Sequence, residues 1–234
     1  MRILLMFLCA LLFHSSFAQV SNVEMRGDFA DASRLGRLQG SESLPQYSSN
    51  NVKGSRYLTE TWTIGTIVPV TGNTVEGLLV MFDKQDQNVY IKKKDGDQVI
   101  LLDRNQLKTF SVNNRFLIAG ALLNGGEKDL FYEKLAGNDK QIALYKVTKT
   151  KYVKADRTDP ERIKKGDFDD EFKDDITYYI KIGDQPLLKI KLSEKGLIKA
   201  LPTQEKKIKA YLNMRSTDVR NDEEVSDLIN FLNQ

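Results

Sequence analysis

From Thr59 onward, apolar and polar residues exchange places at every second position, the pattern of strands that bury one face and wet the other. Trp62, Ile64, Thr66 and Val68 alternate with Thr61, Thr63, Gly65 and Ile67, and Thr71-Gly72-Asn73 turns the chain into Thr74 to Phe82. Asp86-Gln87-Asn88 makes the next turn, before Val89 to Lys93. Asp95-Gly96, between Val89-Tyr90-Ile91 and Val99 to Leu102, is the strongest hairpin signal of the chain, because the favoured two-residue turns need positive φ. Leu107 to Val112 and Arg115 to Leu123 continue the sheet, with a short helix as the alternative for the second.

After Asn124-Gly125-Gly126, Leu130 to Leu135 pairs with Ile142 to Thr150 across Gly137-Asn138-Asp139. A charged excursion, Lys154 to Asp175, leads to the clearest hairpin: Ile176, Tyr178, Ile180 and Ile182, then Leu188, Ile190 and Leu192, around Gly183 to Pro186. One face of it is apolar and the other lysine-rich, as in a sheet packed on one side only. Beyond Ser193 the period changes from two to 3.6. Leu197, Ile198 and Leu201 form one short helical face, Pro202-Thr203 opens a second helix with Ile208, Tyr211 and Leu212, and Asn221 with Glu224 starts a third. In that third helix Val225, Leu228, Ile229 and Leu232 share a face. Asp222, Glu223 and Glu224 sit in its first turn, where the helix dipole favours negative charge. The expected fold class is α+β: a mostly antiparallel β meander, roll or barrel-like, of about ten strands, with a C-terminal cap of two to three short helices.

The N-terminal quarter follows neither period. Met1-Arg2, an apolar run from Ile3 to Phe13 and Ser16-Phe17-Ala18 make a secretory signal peptide, and the run is shorter than the ~18 to 20 residues of a membrane span. The expected division is 1–18 signal peptide, 19–56 flexible leader with one helical turn around Asp28 to Leu38, 57–192 β-rich domain and 193–234 helical cap. Cleavage after Ala18 removes Cys9 and His14, the chain's one cysteine and one histidine. Cys9 follows Phe7-Leu8 with no small residue directly before it, which speaks against lipid attachment. Cleavage also removes Arg2, taking Lys plus Arg from 35 to 34 against 32 Asp plus Glu. So balanced a charge speaks against nucleic acid, whose binders neutralise phosphates with a concentrated basic excess. A cysteine-free, lysine-rich exported body points to the periplasm, outer envelope or exterior of a Gram-negative bacterium, with stability drawn from the core rather than from disulfides.

The run Gly54-Ser55-Arg56-Tyr57-Leu58-Thr59, the meander ending Leu107-Lys108-Thr109-Phe110, Phe131-Tyr132-Glu133, Leu144-Tyr145-Lys146, the Tyr178-Tyr179-Ile180 hairpin and the tail from Leu188 resemble uncharacterised exported proteins of Bacteroidetes. The likeness covers about residues 54 to 234. It implies a secreted or envelope-associated protein and carries over no catalytic residue.

Without imidazole or thiol in the mature chain, zinc, copper and iron sites lose their usual ligands, and the common nucleophilic triads cannot form. Calcium needs only oxygen, which brings in Asp167, Asp169, Glu171, Asp174 and Asp175, but Phe172 stands where a calcium loop needs glycine and Tyr178 where it needs its closing glutamate. A solvated acidic loop is the expected reading. Glu60 and Trp62, on one strand face, are a candidate acid beside an indole, against the plainer reading of Trp62 as a core anchor. Basic and aromatic residues interleave at Tyr145-Lys146, Lys149, Lys151-Tyr152, Lys154 and Arg157. That stretch suits either an anionic envelope ligand or an edge guarded by lysines. Arg26-Gly27-Asp28 is a chance tripeptide.

The sequence therefore assigns no catalytic, cofactor-binding or metal-binding residue. It leads to a non-enzymatic binding or structural module whose partner is an envelope protein or glycan, with no nucleic acid and no transmembrane span. Alternatives are a carbohydrate-binding or carbohydrate-active protein using a carboxylate pair, and a barrel carrying a small apolar ligand.

Overall fold

The computed structural model describes residues 28–39, 44, 52–94, 96, 98–166, 168–215 and 219–234. The segment read as a signal peptide, with Cys9 and His14, and Arg26-Gly27, Asp95 and Asp167 lie outside the described residues. Within the stretch read as a leader, Asp28 and Asp31 form a reciprocal capping box that starts α1 (Phe29–Ser33). Strands β1 (Gly36–Gln39) and β2 (Val52–Lys53) follow, so this segment adds to the sheet rather than only linking to it.

The strands expected from alternation come next: β3 (Thr63–Pro69), β4 (Val75–Asp83), β5 (Asn88–Lys92), β6 (Val99–Leu102), β7 (Leu107–Val112), β8 (Arg115–Ala119), β9 (Phe131–Gly137) and β10 (Ile142–Val153). The ambiguous stretch after Arg115 is both things in turn, a strand and then one 3₁₀ turn over Gly120–Leu122. Helix α2 (Pro160–Lys165) precedes β11 (Asp170–Ile182) and β12 (Leu188–Ile190). The C-terminal helices are α3 (Glu194–Ala200), α4 (Glu205–Arg215) and α5 (Asp222–Leu232).

All twelve strands share one sheet, ordered β1-β6-β5-β4-β3-β7-β8-β9-β10-β11-β12, with β2 beside β11. Among the described strands only the β2–β11 pair is parallel. The path is open, ending at β1 and β12. It also departs from a plain meander: β7 returns to pair with β3, leaving the outer edge of β6 to β1. The return runs through a 3₁₀ turn over Arg104–Gln106, tied to the end of β3 by Val70 N–H donating to Gln106 O at 2.8 Å.

Phe82 on β4, Phe110 on β7 and Phe131 on β9 pack together with centroids 5.0 to 5.8 Å apart, Phe131 meeting both other rings edge to face and Phe82 tilted against Phe110. β4 and β9 lie four strand steps apart in the sheet, about 19 Å if it were flat. A Phe82–Phe131 centroid distance of 5.8 Å therefore requires this half of the sheet to curve over its own apolar face. Ile67, Val80, Ile91, Ile100 and Val112 fill the same core, and Ala32 of α1 packs into it. Gly65 makes one close approach possible, since a Cβ there would stand 2.1 Å from Ser111 O. The inward positions of β3 are consequently Gly65, Ile67 and Pro69, whereas Ile64 is 64% exposed.

Past β9 the sheet is covered by helices instead. Leu144, Ile180 and Ile190 meet Leu197, Ile208, Tyr211, Leu228 and Ile229 in a second core. Tyr132, Tyr145 and Val147 form a smaller cluster with Leu123 and Leu130, and Met81, Tyr90 and Val99 form another. Among the described residues no helix is long and apolar enough to cross a membrane.

Candidate functional site

A groove of about 660 Å³ opens where β1 meets the ends of β5 and β6. The turn out of α1 supplies Arg34 and Leu35, and β1 supplies Gly36 and Arg37. Gly36 allows β1 to close on its neighbour, because a Cβ there would stand 2.2 Å from Leu101 O. Leu101 and Leu102 from β6, Asn88 from β5, and Asp103, Arg104 and Gln106 from the following turn complete the lining. Asp103 N–H donates to Leu35 O at 2.8 Å, so the two halves of the lining are joined through the backbone.

Three arginines line this groove, and among the described residues no lysine does. Arg34 Nη1 lies 3.5 Å from Asp31 Oδ1, an exposed pair of little energetic weight. Arg37 is exposed and has no ion-pair partner among the described residues. Arg104 is positioned more firmly: Nη1 donates to Asp129 Oδ1 at 3.1 Å and Nη2 to Asp86 O at 3.0 Å. Its Nε is buried and finds no hydrogen-bond acceptor among the described residues. The groove's own carboxylate, Asp103, accepts from Asn105 N–H at 3.0 Å. Planar arginine forks beside amides and an aliphatic floor suit a ligand carrying a carboxylate or phosphate.

A buried knot lies next to the groove. Arg56, 4% exposed, donates through Nη2 to Asp83, which is fully buried, and to Asp86 at 2.5 Å. Burial opposes the Arg56 charge, yet the hydrogen bonds and charges of Asp83 and Asp86 outweigh it and hold its pKa above the ordinary value. From the same turn, Lys84 pairs with Asp174 at 2.8 Å, Gln87 Nε2 donates to Thr148 O at 3.1 Å, and Gln87 Oε1 accepts from Phe131 N–H at 3.1 Å. The β4–β5 turn thus fastens the curved half of the sheet to the β10–β11 hairpin.

The candidates read from sequence fall elsewhere. Glu60 and Trp62 do not share a strand face, because β3 begins only at Thr63. The chain before it bends, with Thr59 Oγ1 donating to Thr61 O at 2.9 Å. Glu60 is exposed, whereas Trp62 is half-buried against the Met81–Tyr90–Val99 cluster with Lys92 Nζ 5.0 Å from its ring centre. In the basic–aromatic stretch both tyrosines are engaged by carboxylates. Tyr145 is buried and donates to Asp139, and burial followed by that bond raises its pKa. Tyr152 donates to Asp170, holding that carboxylate below its usual range. Lys149 stands opposite Asp175 across the strand pair, while Lys154 and Arg157 lie in the field of Asp170.

Lys146, 7% exposed, is the middle of a charged chain. Arg115 grips both oxygens of Glu133, at 2.7 and 2.5 Å, Lys146 lies 3.3 Å from Glu133 and also pairs with Asp222, and Tyr178 donates to Asp222 at 2.8 Å. Those carboxylates are fully engaged, and the chain ties the first turn of α5 to the sheet. The acidic run is dispersed as well: Asp169 pairs with Lys53 at 3.4 Å and Asp174 with Lys84, and no three acids converge as a cation site among the described residues. Asp28, described without its Arg26-Gly27 neighbours, serves as the N-cap of α1.

No protein-family model, curated protein or solved structure matches this chain. The arginine groove escaped the sequence reading because Arg34 and Arg37 lay in an apparent linker, and only the return of β7 to β3 brings Arg104 beside them. The one local signal was Asp103, an N-cap residue directly before Arg104.

Proposed function

We propose that the chain is an exported, non-enzymatic binding module of the periplasm or cell envelope, of the kind its resemblance to exported Bacteroidetes proteins implies. Its groove takes the acidic group of an envelope glycan or protein. The observation that carries this reading is the convergence of Arg34, Arg37 and Arg104 on one cavity. Arg104 is held in place by Asp129 and the Asp86 carbonyl, which prepares a fork before any ligand arrives. Asn88, Gln106 and Leu101 add hydroxyl-binding amides and an apolar contact, a set that accommodates an acidic sugar. In the same proposal the sheet is a roll, a reading supported by the Phe82–Phe131 contact.

The test is calorimetric titration of the mature chain with oligogalacturonate, a phosphorylated oligosaccharide and a neutral glucan. The expected result is binding of an acidic probe that weakens with salt, absence of neutral-glucan binding, and loss of about tenfold or more in affinity in Arg37→Ala and Arg104→Gln. Equal binding of acidic and neutral probes, or affinity unchanged in both variants, overturns the reading.

A further inference from the structure

Charge is distributed unevenly along this chain. Residues 187 to 215 hold eight basic and two acidic residues, a balance of +6, against +3 for the whole chain, so the remainder is net acidic at −3. The excess falls on β12, α3 and α4, at the opposite end of the sheet from β1 and its groove.

The helices turn much of it outward. In α3, Leu197 and Ala200 are buried, while Lys195 and Lys199, four residues apart and hence on one face, are exposed. In α4, Ile208, Tyr211 and Leu212 are buried, and Lys206 and Lys207 are exposed. These four lysines have no ion-pair partner among the described residues. The two helices pack together, and Lys209 is paired with Glu205 at 2.6 Å and also feels Glu194. Those glutamates are the only acids on either helix. On the α5 side Arg215 lies near Glu223, Glu224 and Asp227, which bounds the basic patch. At the end of α4, Met214 is 70% exposed.

We propose that the α3–α4 face is a docking surface for an anionic phospholipid bilayer. The argument rests on charge complementarity and on residue type. The groove has arginines at fixed positions, suited to one discrete acid. The helical face has lysines on flexible stems, compact charges that need no matching geometry and suit a diffuse sheet of phosphates. The exposed Met214, two turns beyond Lys207 on α4, supplies an apolar side chain to the lipid boundary. The net acidic remainder of the chain orients the molecule with this end toward the bilayer. Only the choice of a lipid surface over nucleic acid rests on the exported reading; the groove is not involved.

The experiment is co-sedimentation of the mature chain with phosphatidylcholine vesicles, with or without about 30% phosphatidylglycerol. Binding to the anionic vesicles is expected, with little to phosphatidylcholine alone and release at about 0.5 M salt. K195E/K199E/K206E, all at exposed positions, is expected to lower the partition coefficient about a hundredfold with its circular dichroism spectrum unchanged. Arg37→Ala is expected to bind vesicles like the parent. Three results overturn the proposal: equal binding to neutral vesicles, full binding by the charge-reversed variant, or duplex DNA held as tightly as the vesicles. Loss of vesicle binding in Arg37→Ala assigns the lipid to the groove instead and also overturns it.

Discussion

The two halves of the sheet bury their apolar faces by different means. Between β3 and β9 the sheet bends over itself, and its core is closed by phenylalanine rings from strands that are not neighbours. Between β9 and β12 the sheet is covered by helices, and its core is closed by Leu228, Ile229, Leu197 and Ile208. The first solution depends on contacts far apart in sequence. The second depends mostly on a C-terminal segment that brings its own local order. The two also differ in chemistry, with an arginine groove at one end and a lysine face at the other.

The sharpest way to break the comparison is to empty one core and watch the other. Phe110→Ala removes the ring that touches both Phe82 and Phe131 and is expected to cost about 3 to 5 kcal/mol; Leu228→Ala in the helical core is expected to cost about 2 to 5 kcal/mol. Trp62, the one tryptophan, reports on the curved half, and far-ultraviolet circular dichroism reports on the helices. β9 contributes Phe131 to one core and Ala136 to the other, and the β4–β5 turn is bonded to β10. The two probes should therefore lose structure at the same urea concentration in both variants. A Trp62 transition well ahead of the helical one in Phe110→Ala separates the halves into independent units and breaks the picture of two closures on one sheet.

The helical half was the easier to read from sequence. Leu197, Ile208, Tyr211, Leu212, Val225, Leu228, Ile229 and Leu232 are all buried as their spacing requires, because a helix writes its buried face into a few consecutive turns. The strand positions of the curved half were equally legible: β6 falls on Val99–Leu102, which the Asp95-Gly96 turn signal places, and β7 on Leu107–Val112. Their order in space was not, since nothing in the local pattern says that β7 returns to β3. The first half of β11 was missed for another reason. Asp170, Glu171, Lys173, Asp174 and Asp175 give no apolar period, because this part of the hairpin is held by Lys84 and Thr150 on Asp174, by Tyr152 on Asp170 and by the Tyr152–Phe172 contact rather than by an alternating buried face. β1 is four residues long, and its role as a groove wall depends on pairing with β6. Its arginines therefore looked like part of a linker.

A second test separates the faces of the sheet by pH. Among the described residues the core inside the curve contains phenylalanines and aliphatic residues but no tyrosine, whereas the smaller clusters hold Tyr57, Tyr90, Tyr132, Tyr145 and Tyr179. Burial is the leading cause that lifts each of these phenols above the ordinary value of 10, with Tyr57 and Tyr179 pushed up to about 12. A folded-state pKa above the unfolded one means that the fold favours the protonated phenol. The associated stability is complete below pH 10 and is lost as pH rises through about 12. Urea midpoints are expected to fall across that window in step with tyrosinate absorbance, and Tyr179→Phe should make the fall shallower. A midpoint that stays flat to pH 12 removes the phenol clusters from the account.

The smallest effect addresses how far the helical half relies on local order. Asn221 accepts from Glu224 N–H at 2.9 Å, and Glu224 Oε2 accepts from Arg220 N–H at 2.9 Å, so the start of α5 is closed from both sides. Asn221→Ala is expected to cost about 1 kcal/mol, and Asn221→Asp to restore most of it. Asp222 at the next position is already anchored by Lys146 and Tyr178, so the loss should appear as faster amide exchange in the first turn of α5 rather than as release of the helix. Exchange that accelerates equally through Leu228 and Ile229 would mean the charged chain does not hold that turn. The helical closure would then depend on its cap.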